Sequence, residues 1–395
     1  MSDPWLTIIG LGEDGPAGLS EASRAALASA DVIFGGPRHL ALVGARARGR
    51  DWPVPFNIDS VLAEKGRKVV VLASGDPFWF GAGGSLAQAL SPGEWTCHPA
   101  PSTFSHAAAR LGWRIEESLC FGLHAAPLER VRQVLSRGQR LICLMRDGAA
   151  VSDMAVSLTD GGFGPSSLTV LEALGGPRER VRRTTARDYA LSDVAHPVAL
   201  AIEVKGARGL PRSSGLPDDL FETDGVMTKR PVRALALSAL APRAGEVLWD
   251  LGAGSGSISV EWCLAAPAAT AHAVEARDDR AAIIGRNASA FGIEHRLKVT
   301  TGEWLERLGT LPAPDAVFIG GGVDLAGIET VLGAIPQAAR IVANAVTLDS
   351  EAVLIAAQAR FGGELLRIEL AAAAPLGRLR GWVPARPVVQ WSVER

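Results

Sequence analysis

The residues best suited to chemistry lie in Val247–Ile258, VLWDLGAGSGSI. An apolar run ends at Asp250, Gly252, Ala253, Gly254, Ser255 and Gly256 follow, and a helix-like segment begins. Glycines let a backbone approach a ligand closely, and a helix start offers it unpaired amides. The spacing is G-x-G-x-G; the dinucleotide fingerprint G-x-G-x-x-G wants glycine at 257, where Ser257 stands. The next apolar run ends in Glu275, about twenty residues on, where a carboxylate can accept both hydroxyls of a ribose. The third ends in Thr301-Gly302-Glu303-Trp304, where an adenine lies in a doubly wound fold. A loop for an amino-acid tail, an acid for ribose and a strand end for the base together describe S-adenosylmethionine. The competing reading is a tight turn followed by a surface glutamate.

The first half carries a different set. Gly10-Leu11-Gly12-Glu13-Asp14-Gly15 does match G-x-G-x-x-G after a strand, but Glu13 and Asp14 would repel a pyrophosphate. The acid about twenty residues on, Asp31, precedes the next apolar run instead of ending it, which argues against a nicotinamide oxidoreductase. In Val69–Gly84, VVVLASGDPFWFGAGG, a strand buried on both faces delivers Ser74, Gly75 and Asp76, then the aromatics Phe78, Trp79 and Phe80. Pro99–Arg110, PAPSTFSHAAAR, puts Ser102 and Thr103 at a helix start, where hydroxyls hold a polar ligand or merely cap.

These segments need a frame. A chain of 395 residues predicts two domains at roughly 100–200 residues each. Hydrophobic residues at 48% and charged residues at 21% are globular usage, and a net charge of −2 disfavours a generic polyanion binder. Thirty-five of the forty basic residues are arginine, a bias that suits carboxylate ligands or simply reflects a GC-rich genome. Cys97, Cys120, Cys143 and Cys263 form no CxxC pair, so neither a metal site nor a disulfide framework is expected. The start MSDPWLTIIGLG lacks a leader pattern, and no apolar run reaches the ~18–20 residues of a span, so a soluble cytoplasmic protein is expected.

Strands are expected at Leu6–Ile9, Val69–Ala73, Leu141–Met145, Leu168–Leu171 and Pro197–Val204, and helices at Ala17–Ala30, Gly83–Leu90 and Ser102–Leu111. The basic run from Arg178 to Arg183 reads as a solvated helix face. Lys205–Gly225, rich in Gly and Pro, reads as a linker. A helix at Pro231–Leu240 and strands at Glu246–Asp250, Ala271–Val274, Lys298–Thr301, Ala316–Ile319 and Arg340–Ala343 follow. Glu364–Leu370 and Pro387–Val393, with no helix between, would close a doubly wound sheet with an antiparallel hairpin edge. The domains are thus 1–204, a linker at 205–225, and 226–395.

Taken together, the segments GLGEDGPAGLS, VVVLASGDPFWFGAGGS, PAPSTFSHAAARLGW and VLEALGGPRERV resemble the tetrapyrrole methyltransferases of corrin biosynthesis. GVMTKRPVRALALSAL, LWDLGAGSGSISVEW, AVEA, VFIGGG and IVANAVTL resemble the class I methyltransferase module of the same pathway. The resemblance implies an α/β protein: an N-terminal two-lobed tetrapyrrole-methylase fold fused to a C-terminal class I Rossmann-like S-adenosylmethionine methyltransferase fold. It implies one S-adenosylmethionine per domain and the tetrapyrrole precorrin-6B as substrate. The first domain would methylate C5; the second would methylate C15 and decarboxylate the C12 acetate, giving precorrin-8x in aerobic cobalamin synthesis. It also implies a homo-oligomer, with no nucleic acid or membrane partner.

Carried over position by position, cofactor contacts fall on Ser74, Gly75, Asp76, Trp79, Ser102, Thr103, Met145 and Leu174, and on Thr228, Gly252, Ala253, Gly254, Ser255, Gly256, Glu275 and Trp304. Glu13 departs from the family, many members of which have proline there. Gly320, Gly321 and Gly322 after the fourth strand and Asn344 after the fifth are expected to touch substrate. Arg38, Arg146, Arg230 and Arg378 are candidates for its carboxylates. No catalytic side chain is assigned, because a sulfonium leaves without acid catalysis and an enamine-like meso carbon is already nucleophilic. Methyl transfer to RNA or protein would predict a basic stripe and an aromatic-flanked Asn/Pro motif in place of FIGGG. A scaffold that binds the nucleoside without catalysis is the remaining alternative.

Overall fold

The computed structural model describes residues 4–395. Residues 1–3, which open the first expected domain and the stretch read as lacking a leader, lie outside it. The chain forms two compact units, residues 4–128 with Leu135–Arg208, and Glu129–Val134 with Gly209–Arg395.

In the first unit, β1 (Leu6–Leu11), β2 (Val32–Gly35), β3 (Gly49–Asp51), β4 (Val69–Ser74) and β5 (Trp95–His98) make a parallel sheet in the order β3-β2-β4-β1-β5. The unbroken run in β4 follows from burial on both faces: Val69 and Val71 enter one core with Ile8 and Phe34, while Val70 and Leu72 enter the opposite one with Ile9 and Ile33. The helix expected over Ala17–Ala30 is split. A 3-10 turn, Gly15–Gly18, precedes Glu21–Ser29, because Ser20 accepts a hydrogen bond from the Ser23 amide and caps the second piece.

The same unit holds a mixed sheet of β6 (Ser118–Gly122), β7 (Arg140–Met145), β8 (Ser167–Glu172), β9 (Arg180–Thr185) and β10 (Val198–Glu203), ordered β6-β7-β10-β8-β9. Helix Thr103–Leu111 buries Phe104, Ala107 and Ala108 against Ile142, Leu171 and Ala199 of this sheet. The basic run at 178–183 is therefore not a helix face; most of it is edge strand β9. In the β8–β9 register Arg180 stands opposite Glu172, and Arg180 and Arg182 both clasp that carboxylate, at 2.6 and 2.9 Å. Basic composition read as solvation had a buried acid as its partner.

The second unit is a seven-stranded sheet of β11 (Val247–Leu251), β12 (Thr270–Glu275), β13 (Leu297–Thr301), β14 (Ala316–Ile319), β15 (Arg340–Ala345), β16 (Glu364–Ile368) and β19 (Val388–Glu394). Its order is β13-β12-β11-β14-β15-β19-β16, the first five parallel and β19 antiparallel to both neighbours. The chain reverses direction across the sheet between β11 and β14, so the loops after these strands flank a topological switch point, where open α/β sheets bind ligands. The two terminal strands do pair, but β19 inserts between β15 and β16. Between them an unforeseen hairpin, β17 (Ala371–Leu376) and β18 (Leu379–Pro384), projects with Leu376, Leu379 and Trp382 exposed.

Much of the stretch expected to be linker is part of this unit. Leu216 and Phe221 are buried in its core. Arg233, fully buried in helix Arg230–Leu240, donates to the Leu216 carbonyl and the Glu261 carboxylate at 2.5 Å each, while Glu261 accepts from the Gly215 and Leu216 amides. Glycine and proline signalled irregular backbone correctly; two apolar anchors and a buried ion pair make it ordered.

Candidate functional sites

In the first unit, β4 ends at Ser74 and turns at Gly75 with φ +54°. A Cβ at Gly75 would lie 2.8 Å from the Ser102 Cα and 2.9 Å from the Pro101 carbonyl oxygen, so only glycine lets these two loops meet. Two adjoining cavities open here. One is lined by Ser74, Gly75, Thr103, Met145 and Leu174. The other is lined by Ser74, Trp79, Ser102 and Thr103, with Trp52 and Phe80. Seven of the eight residues expected to hold a cofactor thus converge on this cleft. Asp76 lines neither cavity: its carboxylate accepts the Phe78 amide at 2.9 Å and shapes the turn. Ser102 also caps its helix by accepting the Ser105 amide, and Trp79 packs on Phe104 with ring centroids 4.7 Å apart.

Sequence reasoning named Ser74 and Arg38 on the polar wall of this cleft and missed its histidines. Ser74 Oγ accepts from Arg38 Nη2 at 2.9 Å and lies 2.9 Å from His39 Nε2. Arg38 forms an ion pair with Glu13, which also faces Arg178 at 3.3 Å. The departure at Glu13 is therefore compensated, with its side chain 8% exposed between two guanidinium groups. His39, His106, His124 and His196 all line the two cavities. Burial, then Arg38 and His196, push His39 down to about 4; burial lowers His124, and burial followed by Arg38 lowers His196. Near neutral pH these three imidazoles are uncharged. The only signal in sequence was four histidines distributed over separate helices and loops, which spacing cannot gather.

Among the other arginine candidates, Arg146 pairs with Asp147 at 3.0 Å, Arg230 is exposed, and Arg378 sits in the turn of the β17–β18 hairpin. Arg38 alone of the four lines the cleft of the first unit.

In the second unit the glycine loop joins β11 to helix Ser257–Ala265, with Gly252, Gly254 and Gly256 all at positive φ. A Cβ on Gly256 would come within 2.7 Å of Ile284 Cγ2. Glu275 ends β12, 6% exposed, and accepts the Gly254 amide at 2.8 Å, so the acid and the loop are neighbours. Asp250, 1% exposed, accepts the Ser259 hydroxyl at 2.6 Å and its amide at 3.2 Å through one oxygen. Its other oxygen and the Ser255 hydroxyl are buried without partners. Burial, with a smaller push from Glu275, raises the Asp250 carboxyl to about 6. Asn287, also missed, donates to the Ser255 carbonyl and the Glu222 carbonyl at 2.9 Å, tying the loop to the segment that leads to Thr228. Thr228 is held by its carbonyl, which accepts Arg233 Nη1 at 2.6 Å.

The triple glycine lies directly against this loop: a Cβ on Gly320 would fall 2.6 Å from the Gly252 carbonyl oxygen, and one on Gly252 3.3 Å from that of Gly321. Gly322 continues the loop with φ +67°. Trp304 and Asn344 are placed differently. Trp304 is 7% exposed and packs in the core with Val274, Leu308 and Ile328, and Asn344 accepts Gln390 Nε2 at 3.0 Å while its own amide nitrogen is buried and unpaired. Orphaned buried oxygens, the uncapped start of helix Ser257–Ala265 and an adjacent carboxylate fit a nucleoside that carries an ammonium and a sulfonium. The cradle around Gly75 admits a ligand of the same kind.

Comparison with known proteins agrees with both halves. A model of tetrapyrrole (corrin/porphyrin) methylases matches residues 5–190, and a precorrin methyltransferase domain model matches 219–395. The chain is 50% identical to a Sinorhizobium protein named precorrin-6Y C(5,15)-methyltransferase (decarboxylating), over 98% of this chain and 96% of that one. A Mycobacterium tuberculosis protein of the same name is 41% identical over 99% of this chain and 100% of its own. A Pyrobaculum calidifontis protein, a probable cobalt-precorrin-6B C(15)-methyltransferase (decarboxylating), is 39% identical over 38% of this chain and 78% of its own.

Proposed function

Because the chain belongs to the family of precorrin-6Y C(5,15)-methyltransferases (decarboxylating), we propose that it methylates C5 and C15 of precorrin-6B and removes the carboxyl of the C12 acetate, giving precorrin-8x in aerobic cobalamin synthesis. The first unit serves C5; the second serves C15 and the decarboxylation. The observation that carries this reading is the match across 98% of the chain, which takes in both units. That the activities are separable is supported by a relative that matches only 38% of the chain and whose name gives C15 methylation and decarboxylation alone. The enzyme works as a cytoplasmic homo-oligomer; no helix among the described residues is long and apolar enough to cross a membrane.

S-adenosylmethionine, bound once in each unit, supplies a methyl group on a sulfonium. Glu275 accepts the ribose hydroxyls, and the Gly252–Gly256 turn, with the Ser255 hydroxyl and the start of helix Ser257–Ala265, receives the amino-acid tail. Thr228 borders this nucleoside, Trp304 supports the cleft from the core, and Gly320 to Gly322 let a broad planar ring approach the loop, with Asn344 beside it. In the first unit Ser74, Gly75, Trp79, Ser102, Thr103, Met145 and Leu174 surround the second nucleoside, Asp76 shapes the turn that carries them, and Arg38 faces substrate carboxylate. The contribution of these walls is alignment and exclusion of water, which together are worth several kcal/mol of barrier, on the order of 7–11 at best. For the decarboxylation, the conjugated macrocycle itself receives the electron pair.

The test uses the full-length chain, precorrin-6B and methyl-labelled S-adenosylmethionine, with product carbons read by NMR. Glu275→Ala should lose label at C15 and release of carbon dioxide while retaining label at C5. Loss of C5 label alone would overturn the assignment of units.

A further inference from the structure

Transfer to a methine carbon leaves chemistry unfinished. The meso carbon uses a π electron pair to take the methyl as the carbon–sulfur bond breaks, with that bond's pair leaving on sulfur. The carbon then carries both the new methyl and its original hydrogen, and the positive charge spreads to the pyrrole nitrogens. Conjugation returns only when that hydrogen leaves as a proton and its C–H pair rejoins the ring. A base facing the meso carbon is therefore required wherever the nucleoside and the macrocycle meet.

In the first unit the expected cofactor residues divide between two adjoining cavities, Gly75, Met145 and Leu174 in one and Trp79 and Ser102 in the other, so a nucleoside held by all of them crosses the seam between the cavities. The two cavities share four lining residues, Ser74, Thr103, Leu144 and His124. Leu144 has no polar side-chain atom, and the hydroxyls of Ser74 and Thr103 are far too weak as bases near neutral pH. His124 is the one shared titratable side chain. It follows β6 on an exposed turn, and its ring reaches back across Gly122 next to Phe80, within 3.3 Å of where a Cβ on that glycine would sit. Neither ring nitrogen has a hydrogen-bond partner among the described residues. Its pKa is lowered by burial, which keeps the imidazole neutral and able to accept.

The other three histidines are worse placed. His39 lines only one cavity, its Nε2 lies within 2.9 Å of both Arg38 and Ser74, and the adjacent guanidinium opposes any added charge. His106 and His196 line only the other cavity, and His196 also stands in the field of Arg38.

We propose that His124 is the base that removes the meso proton after methyl transfer in the first unit. The imidazole takes the proton, the C–H pair restores the conjugated double bond, and the imidazolium then releases the proton to water. This rests on the reading that the first unit methylates C5.

The experiment compares full-length wild type with His124→Ala and His124→Gln, supplied with precorrin-6B and methyl-labelled S-adenosylmethionine, with label at C5 and C15 followed separately. Loss of the C5 meso hydrogen from the labelled product, read by NMR, should slow about 100- to 10,000-fold in both variants, while C15 labelling and carbon dioxide release stay at the wild-type rate. Added imidazole should restore that hydrogen loss in the alanine variant, which has room for it, and not in the glutamine variant. Calorimetric affinity for S-adenosylmethionine should change less than about twofold and the thermal midpoints should move by no more than about 2 °C, because an exposed residue is being replaced. In the ligand-free chain, the imidazole NMR signal missing from His124→Gln should titrate below 6.5. An unchanged rate of C5 hydrogen loss in both variants overturns the role of His124 and leaves the reading of the unit intact. So does a loss of cofactor affinity that matches the loss of rate. Slowing at C15 in place of C5 overturns the reading of the units itself.

Discussion

Arg233 offers the sharpest test of how the second unit is held together. Its guanidinium is fully buried and contacts Glu261 at 2.5 Å, the Leu216 carbonyl at 2.5 Å, the Thr228 carbonyl at 2.6 Å and Asp218 at 3.0 Å, and it stacks 4.8 Å above the Phe221 ring. Arg233→Ala leaves Glu261, itself 3% exposed, as a buried carboxylate without its cation. Breaking one partner out of such a pair costs about 3–5 kcal/mol. For a unit of this size, each kcal/mol moves the melting midpoint by about 2–4 °C, so its transition should fall by about 6–20 °C. The same contacts clamp residues 215–228 to helix Arg230–Leu240, so affinity for S-adenosylmethionine in the second unit should fall together with stability. Calorimetric unfolding of the full chain reads the first effect and binding titration the second. The double variant Arg233→Met with Glu261→Gln removes both charges and should recover more than half of the lost stability. If Arg233→Ala costs less than about 1 kcal/mol, the buried network is not what orders the segment, and the reasoning fails.

Gly75→Ala should impair cofactor binding in the first unit and destabilise it by about 1–3 kcal/mol, since its Cβ would meet the Ser102 Cα at 2.8 Å in a left-handed backbone; titration and melting of the full chain check it. Glu275→Gln should weaken nucleoside binding in the second unit about tenfold or more by replacing charge-assisted hydrogen bonds with neutral ones, measured by calorimetry. Asp250 has a folded pKa of about 6, above its unfolded value near 3.8, so the native state binds the extra proton between these limits and stability falls as pH rises through them. Asp250→Asn should therefore be more stable than wild type at pH 7, by on the order of 2 kcal/mol, with the advantage gone below about pH 4, as denaturant titrations across that range would show.

What the sequence made legible was whatever depends on local backbone. The strands at Val69–Ser74 and Ala316–Ile319 announce themselves because burial on both faces demands uninterrupted apolar residues, and the turn at Gly252–Gly256 because its φ angles demand glycine. What stayed hidden depends on partners distant in the chain. Arg180 and Arg182 looked like solvated charge until Glu172 appeared opposite them, and 205–225 looked like linker until Leu216 and Phe221 found a core. The β17–β18 hairpin escaped because Ala371–Ala374 has neither strand periodicity nor strong β propensity, and only its pairing with Gly381–Pro384 makes it a strand.

The two sites divide along the same line. The second is built on one continuous strand–loop–helix passage, with Glu275 one strand away, so motif spacing reached most of it. The first is assembled from the ends of strands in two different sheets, and the histidines that line it, His39, His106, His124 and His196, lie up to 157 positions apart, where no spacing rule connects them. A local motif can specify where a backbone approaches a ligand, whereas a proton acceptor requires only that one ring nitrogen arrive at one place. Tertiary structure meets that requirement from any loop, and this is why methyl-donor binding is readable in this sequence and proton removal is not.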